Sequence, residues 1–291
     1  MKQKNTEKIL KEGFQKAKAI TRQYAKTFYF ASKFLPIEKR LAAYSIYAIC
    51  RISDDSVDTQ GLLPKEKQLI KVKENIEAAY HNSSLKDPLL VAFKKTIFSY
   101  KIPKQYFDDL LCGMSMDLTK NRYRDFDELY LYCYRVAGVI GLIMLKILGS
   151  NNTLAQKYAV ELGIAMQLTN ILRDIREDYI LNRIYLPQDE MKKFHVTENH
   201  ICLEKTDDHF RSLLKFQIKR TKEFYQSSEQ GIKMITTHNC RFVIKLMKEM
   251  YGAILTSIAK NNYDVFSQRA HINFFQKTLL YLKIFLESEH L

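Results

Sequence analysis

The sequence predicts an all-α fold, and three observations support this class. Apolar and aromatic residues recur at the three- and four-residue spacing of amphipathic helices along most of the chain. An alternating strand pattern never persists for more than a few residues. Only 9 glycines and 5 prolines interrupt the 291 residues, which is too few for a turn-rich β protein. Since the chain has neither an internal repeat nor a flexible linker, we expect one domain over residues 1–291.

Prolines and glycines set the helix boundaries expected in the first half of the chain. Pro36 separates the first two helices, and Gly61 with Pro64 ends the second. Pro88 and Pro103 are expected in or near the first turn of a helix, where a proline forfeits no backbone hydrogen bond. The predicted helices cover residues 7–34, 37–59 and 65–80, and two more begin near Pro88 and Pro103.

Apolar periodicity predicts long helices in the second half as well. Asp127 is expected to cap a helix that Gly149 ends. Within it, Val136–Leu145 is apolar throughout but far shorter than the ~20 residues that span a membrane, so it indicates a buried helix. Arg183–Pro187 is predicted as a loop that leads into further helices. The predicted helices cover residues 127–148, 153–180, 206–232, 239–260 and a final stretch from about residue 267.

The charge balance points to anionic partners. The chain carries 46 lysines and arginines against 32 acidic residues, a formal net charge of +14. Such a balance favours nucleic acid, acidic lipid headgroups or phosphorylated small molecules. Because no nucleic-acid-binding motif is present, nucleic acid is not expected as a partner.

The cysteines and the N-terminus indicate an intracellular protein. The five cysteines are scattered, with no CxxC pair and no zinc-type spacing, which is typical of reduced thiols. The charged N-terminus lacks the apolar stretch of a signal peptide. We therefore expect a cytoplasmic protein, with peripheral contact to an anionic membrane surface as a further hypothesis. The sequence does not indicate an oligomeric state.

Two acidic segments carry the clearest chemical signal. On a helix, Asp54 and Asp58 share a face, and Tyr47 and Arg51 fall within about 60° of Asp54. In the second segment, five polar side chains form a stripe about 100° wide on an otherwise apolar helix. They are Gln167, Asn170, Asp174, Glu177 and Asp178. A polar stripe on a helix that is apolar on its other sides is expected to line a cavity.

Two such segments together suit a divalent cation. One pair of aspartates is more often a solvated acidic face, but the pattern recurs here, each time with an arginine nearby, in a basic protein. Close carboxylates repel unless a cation lies between them. Mg²⁺ prefers oxygen ligands and binds one or two carboxylates together with substrate phosphates. We therefore predict two acidic walls with Mg²⁺, or Mn²⁺ in its place, bridging them to a diphosphate. Arginine binds phosphate oxygens through its planar fork, which makes Arg51, Arg173 and Arg183 candidates for holding substrate.

Five blocks of the sequence, in order, resemble the squalene/phytoene synthase family. The blocks are Tyr24–Phe28 with Leu35–Pro36, Tyr47–Asp58, Gly113–Leu118 with Tyr132–Gly138, Gln167–Asp178 with Arg183–Pro187, and Tyr263–Phe266 with Arg269. One block alone is moderately specific, whereas all of them in this order over nearly the whole chain are highly specific. The chain looks closest to the bacterial phytoene and dehydrosqualene synthases.

The resemblance implies both a fold and a reaction. The fold is a helical bundle of the isoprenoid synthase type around a central cavity. The reaction is the Mg²⁺-dependent, head-to-head condensation of two identical prenyl diphosphates through a cyclopropylcarbinyl diphosphate. A second ionisation then rearranges this intermediate to a linear hydrocarbon.

The resemblance also assigns roles to individual residues. The residues that match the metal-binding aspartates of the family are Asp54, Asp58, Asp174 and Asp178. The residues expected to bind substrate are Phe28, Arg51, Gln167, Arg173, Arg183, Arg269 and Lys277. The residues expected to take part in catalysis are Tyr47, Tyr134, Asn170 and Tyr251. Tyrosine rings can stabilise carbocations through their faces, and the hydroxyls can reach diphosphate oxygens.

Each assignment has a structural alternative. Phe28, Tyr134 and Tyr251 could be core aromatics, and Arg269 could be an ordinary surface charge. Val136–Leu145 could line the tunnel for the prenyl tails or could belong to the core. The chain departs from the family pattern at Arg176, which stands where glycine is common, although it should lie off the metal face.

The leading substrate expectation is geranylgeranyl diphosphate, converted to phytoene without a reductant. Coupling of two farnesyl diphosphates, to dehydrosqualene, squalene or presqualene diphosphate, is the alternative. NADPH is not expected. The sequence has no GxGxxG motif, but this is weak evidence because the family does not bind NADPH through that motif. A non-catalytic assembly factor of the same fold is disfavoured because all four aspartates are present. A terpene cyclase or a head-to-tail prenyltransferase is disfavoured by the blocks Tyr132–Gly138 and Arg183–Pro187, which match the squalene/phytoene synthase family.

Overall fold

A computed structural model describes residues 2–58, 63–81 and 84–288. Within these residues the chain is helical with no strand, and only two isolated β-bridges occur, at Arg122–Ile184 and Ser150–Ile235. The predicted all-α fold class is confirmed. The predicted helix end at Gly61 and residue 59 lie outside the described residues.

The helices follow one another in this order: α1 (Lys2–Tyr24), α2 (Lys26–Ser32), α3 (Ile37–Asp58), α4 (Lys65–His81), α5 (Pro88–Ser99), α6 (Lys104–Thr119), α7 (Phe126–Cys133), α8 (Val139–Leu148), α9 (Ala155–Arg173), α10 (Ile175–Ile180), α11 (Gln188–Lys193), α12 (Glu198–Cys202), α13 (Asp208–Lys233), α14 (His238–Lys260) and α15 (Phe274–Ser288). A five-residue π-helical segment, Tyr134–Gly138, joins α7 to α8. Helix α9 packs against α8, α13 and α14, while α3 packs against α1, α4 and α5.

Helix starts and ends mostly follow the local chemistry that the sequence indicated. Asp87 caps α5 by accepting the Leu89 amide at 2.8 Å, with Pro88 in the first turn. Gly149 ends α8 at φ 85°, a left-handed conformation that residues with a side chain rarely adopt. The cap predicted at Asp127 is wrong, because the side chain of Asp125 accepts the Glu128 amide instead.

The predicted helix over residues 7–34 is divided at Ala25. A straight helix of that length would run ~42 Å. The bend at Ala25, with φ −127° and ψ 60°, lets α1 pack on α3 and α5 while α2 turns to pack on α14. It thereby directs Phe28 towards the rings of Tyr44 and Tyr47 on α3.

The predicted helix over residues 153–180 is divided at Asp174. This aspartate pairs with its own neighbour, Arg173, through two hydrogen bonds. Adjacent residues of a helix point about 100° apart and do not normally face each other. The backbone at Asp174 leaves helical values, with φ −108° and ψ 21°, at the residue where this pair forms.

The last helix begins later than the predicted residue 267. The side chain of Asp264 accepts the amides of Phe266 and Ser267 at 2.9 and 3.0 Å, which holds a turn there. Asn273 then accepts the Gln276 amide at 2.9 Å and starts α15.

The helical stretch Phe126–Leu148 is long and apolar enough to cross a membrane by length and composition alone. The core helix of a soluble protein passes the same test. Gly141 shows how tightly it packs, because a side chain there would come within 2.1 Å of the Ala159 carbonyl oxygen on α9. This close contact with α9 agrees with the prediction of a buried helix.

Candidate active site

A cavity of about 1000 Å³ lies between α2, α3, α6, α8, α9 and α14. Its lining is acidic and basic at one end and apolar over the remainder. Nearly all of the residues predicted for the site line this one cavity. They are Phe28, Tyr47, Arg51, Asp54, Asp58, Gln167, Asn170, Arg173, Asp174, Asp178, Arg183, Tyr251, Arg269 and Lys277.

The first acidic segment occupies the last turns of α3. Asp54 and Asp58 both line the cavity, as their four-residue spacing predicted. Arg51 donates to Asp55 at 2.5 Å and lies 4.6 Å from the ring centroid of Tyr24. Its Nε atom is buried and has no hydrogen-bond partner among the described residues.

Arg183 connects the first acidic segment to the loop after α10. Its side chain is only 8% exposed, and Nη1 donates to Asp58 at 2.6 Å. Nε lies 3.9 Å from the carboxylate of Asp117 on α6. The backbone amide of Arg183 donates to the Asp178 carbonyl at 2.9 Å, which fixes the loop beside the second acidic segment.

The second acidic segment is built around the break at Asp174. Arg173 donates to both carboxylate oxygens of Asp174, at 2.7 and 2.5 Å. Arg269, from the irregular segment before α15, donates to the same two oxygens at 2.7 and 2.9 Å. Although burial opposes it, these two guanidinium groups hold the pKa of Asp174 below its usual range.

Asp54 and Asp178 lack such strong partners. Burial raises the pKa of Asp54 to about 7, and the nearby charge of Asp58 adds to the shift. Burial likewise raises the pKa of Asp178 to about 8, with the charge of Asp174 as the next cause. Both carboxyl groups therefore lie where a negative charge is not fully compensated by the protein.

The donor set fits a hard divalent cation. Carboxylates from α3 and α10 face the same cavity end, and their raised pKa values indicate a place where added positive charge is favourable. Among the described residues, however, no group of three or more acidic, histidine or cysteine side chains is already gathered around one point. The reason is visible in the ion pairs, since Asp58 and Asp174 are held by arginines.

The site includes an aspartate and two tyrosines to which the sequence reasoning gave no role. Asp117 accepts hydrogen bonds from the Tyr185 hydroxyl at 2.7 Å and the Tyr132 hydroxyl at 2.9 Å. All three residues line the cavity, and the rings of Tyr132 and Tyr185 stack 4.9 Å apart. A sequence signal existed, because Asp117 falls on the same helix face as Leu110 and Met114, which is otherwise apolar.

Of the predicted cavity tyrosines, Tyr134 is the exception. It does not line the cavity and lies near Tyr106 and Asp109 of α6. Residues two apart on a helix point about 200° apart, so Tyr132 and Tyr134 cannot both face the cavity. The structure places Tyr132 there, while Tyr47 and Tyr251 line it as expected.

The apolar remainder of the cavity forms a tunnel between α8, α9 and α14. Val136, Ile140 and Met144 line one wall, which places part of the apolar run 136–145 in the tunnel. The lining on α9 continues from Asn170 back to Ala155, over ~22 Å. A long apolar chain attached to a charged head fits this arrangement, with the head at the acidic end.

Comparisons with known sequences identify the family. The family model for squalene/phytoene synthase matches residues 21–276. A phytoene synthase of Arthrospira platensis is 38% identical over 284 residues, covering 92% of this chain and 91% of that protein. A 15-cis-phytoene synthase of Synechococcus elongatus is 36% identical over 281 residues and covers 92% and 91%.

Solved structures agree with this result. A dehydrosqualene synthase crystallised with a ligand superposes with a TM-score of 0.89 at 26% identity, covering 97% of this chain and 98% of its own. A squalene synthase from Alicyclobacillus acidocaldarius has the same fold, with a TM-score of 0.81 at 24% identity, covering 88% and 96%. The resemblance seen in the five sequence blocks is thus confirmed, and the chain belongs to the squalene/phytoene synthase family.

Proposed function

We propose that this protein is a prenyltransferase that joins two molecules of geranylgeranyl diphosphate head to head and forms phytoene. The observation that carries the proposal is the placement of both acidic segments and four arginines at one end of an apolar cavity. The similarity to phytoene synthases over nine tenths of the chain supports the choice of substrate.

Mg²⁺, with Mn²⁺ as an alternative, is proposed to bind between Asp54 and Asp58 on one side and Asp174 and Asp178 on the other. Bound there, it would neutralise negative charge that develops on the departing diphosphate. Arg183 and Arg269, which now pair with aspartates, stand beside the same carboxylates and can turn their donors to diphosphate oxygens.

In the first half of the reaction, one substrate loses its diphosphate, and the allylic carbon that carried it bonds to the double bond of the second substrate. Loss of one proton closes the cyclopropane ring, so the product keeps a single diphosphate. In the second half this diphosphate leaves, the cation rearranges, and loss of a second proton gives the hydrocarbon without a reductant. The rings of Tyr47 and Tyr251 line the cavity where positive carbon would lie, and the apolar tunnel excludes the water that would quench it.

Coupling of two farnesyl diphosphates remains the second candidate. The ligand-bound dehydrosqualene synthase, which superposes over 97% of this chain, supports it. A non-catalytic role has less support, because all four aspartates line the cavity.

The test is incubation of the purified protein with Mg²⁺ and either geranylgeranyl or farnesyl diphosphate, with and without NADPH, followed by extraction and mass spectrometry. We expect phytoene from geranylgeranyl diphosphate, independent of NADPH. A matched Asp54→Asn variant should lose most of this turnover while keeping its helical content. A farnesyl-derived product alone would favour the second candidate, and full activity of the variant would refute the metal assignment.

A further inference from the structure

Asp117, close to the end of α6, joins this helix to two other segments at the polar end of the cavity. Its side chain is only 6% exposed. One carboxylate oxygen, Oδ1, accepts the Tyr185 hydroxyl of the loop after α10 at 2.7 Å, and the other, Oδ2, accepts the Tyr132 hydroxyl of α7 at 2.9 Å. Both oxygens of this carboxylate are therefore engaged inside the protein.

Packing around the two tyrosines holds this arrangement in place. The rings of Tyr132 and Tyr185 both lie 5.5 Å from the ring of Tyr123, which is fully buried. The loop that carries Tyr185 is tied to the same segment, because the Gln188 amide donates to the Tyr123 carbonyl at 2.9 Å. Asp117 consequently has little freedom to turn towards a ligand in the cavity, so we do not expect it to bind the cation.

The Arg183 guanidinium lies between Asp117 and Asp58. Nη1 donates to Asp58 at 2.6 Å, while Nε lies 3.9 Å from Oδ1 of Asp117 and Nη2 lies 3.5 Å from the Asp117 carbonyl oxygen. The two carboxylates differ in access, since the side chain of Asp58 is 39% exposed and that of Asp117 is enclosed. A cation in the cavity can therefore draw Asp58 away from Arg183 while Asp117 stays in place.

Arg183 needs a counter-charge that stays beside it, because it is buried. Its side chain is 8% exposed, and a buried charge that loses its partner is strongly destabilising. Although burial opposes it, the charge of Asp117 raises the pKa of Arg183 above its usual range, and Tyr185 and Asp58 add to the shift. Asp117 can thus compensate the guanidinium after Asp58 has left it.

We propose that Asp117 is a positioning residue that holds the Arg183 guanidinium in place when Asp58 turns to the cation, so that the freed Nη1 donor meets a diphosphate oxygen. Asp117 acts through Arg183 and touches neither the cation nor the substrate. The proposal rests on the proposed function in one respect, because it takes Arg183 to bind diphosphate. It does not depend on the length of the prenyl chain.

The test is a double-mutant cycle read by calorimetric titration of the full chain with inorganic diphosphate in the presence of Mg²⁺. Asp117→Asn keeps the shape of the side chain and removes its charge, and it should weaken diphosphate binding about fivefold or more. Arg183→Lys should weaken binding about tenfold. Because Asp117 acts through Arg183, the double variant should be within about twofold of Arg183→Lys alone, whereas independent effects would multiply to about 50-fold.

Two further variants sharpen the cycle. The matched control is Asp109→Asn on the same helix, whose carboxylate accepts the Gln105 amide at 3.0 Å on the exposed side, and it should bind diphosphate within about twofold of wild type. Tyr185→Phe releases one oxygen of Asp117 and should give a smaller loss, about threefold, that disappears in the Arg183→Lys background. This variant decides the question if circular dichroism shows that Asp117→Asn does not fold.

Unchanged binding in Asp117→Asn, an equal loss in Asp109→Asn, or multiplied losses in the double variant would each overturn the proposal. Unchanged binding in Arg183→Lys would overturn both the proposal and the substrate role of Arg183. The expected cycle in a protein that forms no phytoene would refute the proposed function and leave the role of Asp117 standing.

Discussion

The structure predicts opposite stability effects for two aspartates of the same acidic segment. Burial and the charge of Asp174 raise the pKa of Asp178 to about 8, so the ionised form is disfavoured in the folded protein. Arg173 and Arg269 together hold the pKa of Asp174 low, so its ionised form is favoured. Replacing each with asparagine removes the charge and should therefore move the melting temperature in opposite directions.

The magnitudes follow from the pKa shifts and the hydrogen bonds. For Asp178 the cost grows as pH rises from the ordinary pKa of 3.8. At about pH 7.5 the difference between the folded and unfolded pKa would correspond to a loss of ~5 kcal/mol in the free energy of unfolding. Relaxation of the neighbouring groups reduces this loss to ~2–3 kcal/mol. Asp178→Asn should stabilise the metal-free protein by that amount. Asp174→Asn weakens the hydrogen bonds from two guanidinium groups and should cost ~1.5–3 kcal/mol.

The assay is thermal unfolding with a metal chelator present, at about pH 7.5 and again near pH 4.5, where each kcal/mol moves Tm by roughly 2–4 °C. The gain from Asp178→Asn should shrink at the lower pH, because the wild-type carboxyl is then largely neutral in the folded protein and less ionised in the unfolded one. Both variants should lose Mg²⁺-dependent turnover. Melting shifts of the same sign at about pH 7.5 would refute this account of the segment's electrostatics.

Three further predictions concern the tunnel and the polar end. Ala159→Phe fills the tunnel ~22 Å from Asp174 along the helix. In steady-state kinetics it should lower kcat/KM for geranylgeranyl diphosphate by an amount equivalent to ~1–3 kcal/mol, and it should lower kcat/KM for farnesyl diphosphate less. Equal losses for the two substrates would show that the end of the prenyl chain lies elsewhere. Tyr132→Phe removes a hydrogen bond to a buried carboxylate, so it should lower the free energy of unfolding in denaturant by ~1.5–3 kcal/mol. It should also lower turnover more than Tyr134→Phe does, and a larger loss in Tyr134→Phe would contradict the assigned orientation of the two tyrosines. Arg183→Lys keeps the charge but loses the planar fork, so KM for the diphosphate should rise about tenfold or more in direct assays, whereas an unchanged KM would remove Arg183 from substrate binding.

Helical periodicity was sufficient to find the acidic end of the site, whereas Phe28, Tyr251, Arg269 and Lys277 were assigned through the family resemblance. The spacing of Asp54 and Asp58 placed both on one face of α3, and both line the cavity. The same arithmetic placed Gln167 and Asn170 on the cavity side of α9. Periodicity works at these positions because each helix is regular and its polar face is determined by the apolar residues around it.

Periodicity failed where the position of a side chain depends on distant segments of the chain. Asp174, where the helix breaks, pairs with Arg269, which lies 95 residues further along the chain. The choice of Tyr132 over Tyr134 depends on the rotation of one helical segment, which contacts with Asp117 and Tyr185 settle. No local pattern contains that information.

The central claim is that two prenyl chains are joined in one cavity, and an isotope-mixing measurement tests it most directly. The purified protein is incubated with Mg²⁺ and equal amounts of unlabelled and fully deuterated geranylgeranyl diphosphate. The mass distribution of the hydrocarbon product is then measured by mass spectrometry. The account predicts a half-labelled C40 product in about twice the amount of either the unlabelled or the fully labelled one, because each product takes two substrates at random. A C20 product that is only unlabelled or fully labelled would show that a single chain reacts alone and would contradict the claim.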